Sequence, residues 1–275
     1  MDKAPNYEQI DPKTLFKKDF EGNLLPEGKE SNLVSPWKEL IEKVKNVYIN
    51  TYGEEVVSIY VSGSVARGVP NKLSDLDTFA VLRSSVTEEE NSNFSKKVYR
   101  ELKNDGNTLP KLDSRLLPLS SIIGEEANFR DQFIIKLLSV PIYGEDLARK
   151  LPNYKPNKET ASKLIQNLSN SIQKAKNIIE NTNDPKKIKE FCRWIMKKFI
   201  KHCFYPVMAK EGVYTNSLET ALILFSKNFP EKASVMEQVY NLCTEPTADK
   251  NEIIQIIDDV SPWLIYQVEE LKKSD

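Results

Sequence analysis

One histidine, His202, and three cysteines, Cys192, Cys203 and Cys243, are all that 275 residues offer towards a soft-ligand metal centre. No two of the cysteines stand in a CxxC spacing, so a structural zinc site is all but excluded. An odd count leaves at least one thiol unpaired, and three free thiols in a reducing cytosol is the plain reading. Long apolar runs are missing too: nothing nears the roughly 20 residues that a membrane helix needs. The first stretch, Met1 to Lys18, carries Asp, Glu and Pro and no apolar segment, which fits neither a signal peptide nor an anchor. Charge of one sign is also lacking. With 39 Lys+Arg against 40 Asp+Glu, the net charge of -1 provides no global field towards nucleic acid or an anionic membrane. These absences together predict a cytoplasmic protein with no membrane partner.

What is present is ordinary globular material, 40% hydrophobic and 29% charged, with length for one large domain or two modest ones. Residues 1–34 are punctuated by Pro, Gly and Asn and read as an irregular arm. Ser35-Pro36 resembles a helix start, and Trp37, Leu40, Ile41, Val44 and Val47 recur at helical spacing up to Gly53, a C-cap. Val56 to Val61 is a short β-rich run closed by Ser62-Gly63, and Leu76 to Leu82 is a second. Thr87 and Glu90 form a capping box that opens a helix reaching about Asn104. Leu112 to Leu119 is a third and less apolar run. Beyond Pro141 and Gly144 the pattern becomes long and amphipathic, with predicted helices at about 158–181, 185–210, 216–228, 231–243 and 249–273, the last broken at Ser261-Pro262. Pro152 and Pro156 mark a boundary. The predicted organisation is an arm at 1–34, an α/β domain at 35–150 and an all-helical domain at 151–275.

The chemistry concentrates between Val61 and Leu82. A buried strand ends at Gly63-Ser64, where a glycine lets the backbone approach a ligand and the free N–H groups of a starting turn attract anions. Ser64 adds a hydroxyl and Arg67 a fixed positive charge, which together make a phosphate cradle. Ten residues intervene before Asp75 and Asp77, which share a face if they lie on one strand. Two such carboxylates remain ionised together only with a cation between them. An oxygen-rich pair beside a phosphate cradle suits Mg²⁺, which takes few protein carboxylates and completes its shell with substrate phosphates. Asp113, near the start of the third run, adds a third acid if that strand neighbours the second, enough for two metals and an in-line phosphoryl displacement.

The pattern Gly63-Ser64, Asp75-x-Asp77 and a later Asp113 resembles the nucleotidyltransferase superfamily typified by DNA polymerase beta. Within it, the size and helical second half look like the small stand-alone enzymes related to aminoglycoside and lincosamide adenylyltransferases. The resemblance covers about the first 150 residues. It implies an α/β (α+β) domain with a small mixed sheet, followed by helices, and an enzyme that moves a nucleoside monophosphate from an NTP, by family habit ATP, to an acceptor hydroxyl. It further implies Gly63, Ser64, Arg67 and Ser74 at the nucleotide, Asp75 and Asp77 on two Mg²⁺ ions, and Asp113 on one of them, helping to activate the acceptor.

Other features carry alternatives. Lys189, Arg193, Lys197 and Lys201 recur every four residues as a basic stripe, opposite Phe191, Trp194, Ile195 and Phe199. A solvated face explains such a stripe. The functional reading has Arg193 or Lys197 neutralise triphosphate charge, with Lys136 a lesser candidate. An RNA or protein acceptor would use the stripe differently, and RNA would add a steep salt dependence. A nucleotide-binding module without turnover is a further alternative, disfavoured because all three acids are present. Residues 151–275 hold 18 Lys+Arg against 16 Asp+Glu, which tilts against a polycationic acceptor. His202, Tyr143, Trp194 and Tyr205 read as packing residues, and Glu145 and Asp146 as acids serving a helix start.

Overall fold

A computed structural model of the chain describes residues 10–70, 74–103, 111–165 and 167–273. The expected helix end at Asn104, residues 1–9 of the arm and positions 71–73 before the acid pair lie outside the described residues. Two compact units emerge, Leu25–Tyr154 and Lys155–Asp275, the second joined by Met1–Leu24. The division falls between Pro152 and Pro156, but the arm is not a unit of its own. Its first part pairs with the helical unit, where Leu15 bridges Thr215, the Phe16 N–H donates to the Tyr214 carbonyl at 2.9 Å, and their rings meet edge-on at 4.9 Å. Residues 25–34 instead belong to the α/β unit, since the Lys29 N–H donates to the Ala66 carbonyl at 3.2 Å. Backbone pairing, which composition does not report, decides where the arm goes.

In the α/β unit, helix α1 (Trp37–Tyr52) buries Ile41, Val44, Val47 and Tyr48, the three-to-four spacing of one apolar stripe. Gly53 ends it at φ +52, its N–H bonded to the Ile49 carbonyl. Strand β1 (Val56–Ser62) is buried at every position, as a central strand must be. After a single-turn helix α2 (Gly63–Ala66) come strand β2 (Leu76–Leu82), helix α3 (Glu88–Lys103) and strand β3 (Leu112–Pro118). The capping box closes as expected: the Thr87 N–H reaches Glu90 Oε2 at 2.7 Å and the Glu90 N–H reaches Thr87 Oγ1 at 3.1 Å. Helix α4 (Phe129–Leu138) and strand β4 (Val140–Gly144) complete a mixed sheet of order β3-β2-β1-β4, with β2 and β3 parallel and the other pairs antiparallel. A parallel pair needs a crossover, and α3 supplies it. One face packs Ile59, Val61, Ala80 and Leu116 against α1 and α3, and the other packs Tyr60, Phe79 and Val81 against Ile122, Ile135 and Leu147.

The helical unit consists of α5 (Lys158–Leu164), α6 (Leu168–Asn181), α7 (Pro185–Glu211), α8 (Leu218–Asn228), α9 (Ala233–Thr244) and α10 (Lys250–Lys272). All five of the others pack on α7, whose 27 residues make it the organising element. Two expectations fail here. The helix read over 158–181 is two, because Ile165 is extended and Asn167 adopts a left-handed conformation at φ +50. Pro262 does not break the last helix: α10 runs through it, and the Ser261 hydroxyl donates to the Ile257 carbonyl one turn back at 2.5 Å. No helix among the described residues is long and apolar enough to cross a membrane.

Candidate active site

The site grows from the end of β1. Gly63 holds φ +76, a conformation open to glycine at little cost, and a Cβ there would meet Asp77 Oδ2 at 2.3 Å. The missing side chain is therefore the space that the Asp77 carboxylate occupies. The turn closes through main-chain bonds, Arg67 N–H to the Gly63 carbonyl at 3.3 Å and Val69 N–H to the Ser64 carbonyl at 3.0 Å. Being a single turn of four residues, α2 supplies N–H groups rather than the dipole of a long helix. The Ser64 hydroxyl donates to Ser74 Oγ at 3.0 Å, joining the turn to the residue before the acid pair.

The sheet register assembles the acids. Asp77 stands opposite Ser62 of β1 on one side and Asp113 of β3 on the other. Directly paired residues share a face, so Ser62, Asp77 and Asp113 form a row across three strands at the end where β1 stops and β2 and β3 begin. Below the row on that face lie Tyr60 and Phe79, stacked at 5.2 Å, and the Arg115 guanidinium 5.9 Å from the Phe79 ring. Asp77 and Asp75 are half-buried and Asp113 is exposed. Asp75 precedes β2 by one residue, so the strand geometry that places Asp77 does not extend to it. Among the described residues, no group of three or more His, Cys, Asp or Glu side chains is gathered as a metal cluster. The paired Asp77 and Asp113 are instead the sparse, all-oxygen set suited to an ion that keeps waters and substrate oxygens in its shell.

Residues 38–140 match the family of nucleotidyltransferase domains. The chain carries a stretch similar to nucleotidyltransferase domains over that span, which lies within the α/β unit. Its fold is similar to that of spectinomycin adenyltransferase AAD(9) from Enterococcus faecialis, solved with ATP and spectinomycin, at 16% identity and a TM-score of 0.50 over 86% of this chain and 99% of that one. That likeness is one of fold. A toxin-antitoxin structure with AMP-PNP overlaps 40% of this chain and 81% of its own at 18% identity, and its TM-score of 0.31 is too low to bear on the fold. No curated protein matches the sequence.

The remaining candidates separate by their partners. Arg67 lies 3.5 Å from Glu27, whose carboxyl burial pushes up and the guanidinium pulls back down. Lys136 gives its ammonium to the carbonyls of Ala148 and Leu151 at 3.0 and 3.1 Å, a structural use. Glu145 pairs with Lys150 at 2.5 Å, and Asp146 accepts the Ala148 N–H at 3.2 Å. His202 is buried with Nδ1 2.8 Å from the Lys198 carbonyl. Arg193 and Lys197 are exposed on α7 in the helical unit. Glu27 escaped the sequence reading because it lies in the arm, 40 positions before Arg67, with no local signal linking the two.

Proposed function

We propose that this enzyme transfers AMP from ATP to a hydroxyl of an acceptor, releasing pyrophosphate and using Mg²⁺, with two ions engaged during turnover. The acceptor oxygen forms a bond to the α-phosphorus as the bond from that phosphorus to the bridging oxygen breaks, and the hydroxyl proton leaves to a base. The Gly63 turn presents its N–H groups, and the Ser64 and Ser74 hydroxyls, to the departing pyrophosphate. Asp75, Asp77 and Asp113 would hold the magnesium, and Asp113, exposed on the edge strand, is on this reading the group beside the acceptor hydroxyl. When bound, the metal neutralises charge on the phosphates and makes the attacking hydroxyl more acidic. Holding the reactants in line contributes the rest, since little covalent chemistry falls to the protein.

The observation that carries the reading is the apposition of Asp77 and Asp113 beside a glycine turn whose Cβ would fill the carboxylate's space. ATP is favoured over other nucleotides by the ATP-bound relative of like fold. The test incubates the protein with each α-labelled NTP, Mg²⁺ and a fractionated cell extract. Label from ATP passing into one fraction, and lost in Asp77→Asn, is the expected result. Equal labelling by the Asp77→Asn protein would overturn the assignment.

A further inference from the structure

On the face of the sheet opposite the acid row, a chain of hydroxyls crosses from α1 to β3. Ser114 Oγ and Thr78 Oγ1 are 3.1 Å apart, Thr78 Oγ1 and the Tyr48 hydroxyl are 3.2 Å apart, and Tyr48 donates to the Arg115 carbonyl at 3.1 Å. Read in one direction, each proton is used once: Ser114 to Thr78, Thr78 to Tyr48, Tyr48 to the main chain. All three side chains are buried, at 1% exposure or less. Burial also pushes the Tyr48 phenol well above its ordinary range, so its donor proton stays in place.

The pair Thr78–Ser114 is the rung next to Asp77–Asp113. A strand of period two tolerates slips of two residues, because inward and outward faces are preserved. Such a slip would oppose Asp113 to Asp75 or Phe79, and Ser114 to Leu76 or Ala80. The hydroxyls, stranded among apolar groups, would then cost the desolvation of unpaired buried donors. β3 needs this discipline, being an edge strand whose buried positions are only Ser114 and Leu116. Its outer side is held at Leu116, whose N–H and carbonyl bond the Asn91 amide at 2.7 and 2.8 Å, three residues from Asp113.

We infer that Tyr48, Thr78 and Ser114 form a register lock that positions Asp113 opposite Asp77 for metal binding, Tyr48 acting as a positioning residue that never touches substrate. The inference deepens the proposed function and rests on its assignment of the acids.

The test uses the full chain with Mn²⁺ and a non-hydrolysable ATP analogue, counting bound Mn²⁺ by electron paramagnetic resonance and following amide exchange in Leu112–Leu116. Wild type should bind two ions. Thr78→Val and Tyr48→Phe should keep the first and bind the second about 10–100-fold more weakly, the usual consequence of disturbing a ligand's support. Exchange at Leu112–Leu116 should quicken in both, while Thr78→Ser, which keeps the hydroxyl, should behave as wild type. If both variants merely melt earlier, with the second ion and the exchange unchanged, the lock is refuted. A wild type that binds no Mn²⁺ with the analogue would sink the proposed reaction instead, and the exchange rates alone would then decide the lock.

Discussion

In the α/β unit, polar side chains are carried inside and paired across strands, as with Tyr48, Thr78 and Ser114, whereas the core along α7 in the helical unit is largely aliphatic, aromatic and thiol. There Ile195, Met196, Phe199, Cys192 and Cys203 are buried, and Arg193 and Lys197 are turned outward. The contrast explains why one half offers a candidate site that a register can assemble and the other offers only a stripe. A sheet dictates direction residue by residue, so an acid at a known register has a known neighbour. A helical bundle asks only for an apolar stripe, and many sequences satisfy it equally well.

The largest effect should come from breaking the directional half at its centre. On the proposed reading, Asp77→Asn should lower transfer by about 10³-fold or more, because the site would lose a ligand to the metal that neutralises phosphate charge. The fold should survive, since removing one of two apposed carboxylates relieves repulsion in the metal-free protein. Asp113→Asn should lower kcat while sparing the KM for ATP, as expected for a group that matters mainly in the transition state. Single-turnover rates beside ATP binding separate the two; equal damage to binding by both variants would refute their division of labour.

Gly63→Ala strikes the same centre through the backbone. A left-handed φ of +76 and a Cβ 2.3 Å from Asp77 Oδ2 both oppose the change. A cost of about 1–3 kcal/mol in unfolding free energy is expected, with activity falling further than stability because the carboxylate must move. An unchanged urea midpoint would show that the turn takes another conformation.

The juxtaposition of Gly63, Asp77 and Asp113, on which the proposed site rests, was legible in the sequence because local signals bear on it: a buried run, a glycine, and acids two apart at the start of another buried run. What escaped notice was tertiary or short. Strand β4 has five residues, one of them buried, and contains Pro141, so it shows no alternation. Helix α4 offers ten residues without a strongly one-sided face. The Tyr48 lock joins residues 30 and 36 positions apart through hydroxyls that any local reading assigns to turns or caps. The intact helix at Pro262 likewise runs against what local propensity predicts.

The basic face of α7 sharpens the comparison from the other side. If it serves the triphosphate, Arg193→Ala or Lys197→Ala should weaken ATP binding by about 1–3 kcal/mol and leave adenosine binding unchanged. If it serves an RNA acceptor, ATP affinity holds and the salt dependence of RNA binding becomes shallower. No change in either assay makes it a solvated face, and the chemistry then belongs to the α/β unit alone.

The smallest effect concerns the thiols that the helical unit has sealed away. Burial raises all three, Cys192 from 9.0 to about 11. A thiol whose pKa is higher folded than unfolded stays protonated in the native state after the unfolded chain has begun to lose its proton. Its contribution to stability is therefore complete below about pH 9 and is lost as the pH rises through about 11 for Cys192. Urea unfolding should show a midpoint that declines over this window in wild type and declines less in Cys192→Ala. Thiol-specific alkylation at pH 8 should proceed only as fast as the unit opens, because the reactive thiolate is scarce and enclosed. Rapid alkylation of the folded protein would show that these cysteines are accessible, and the contrast between a reactive half and an inert one would have to be redrawn.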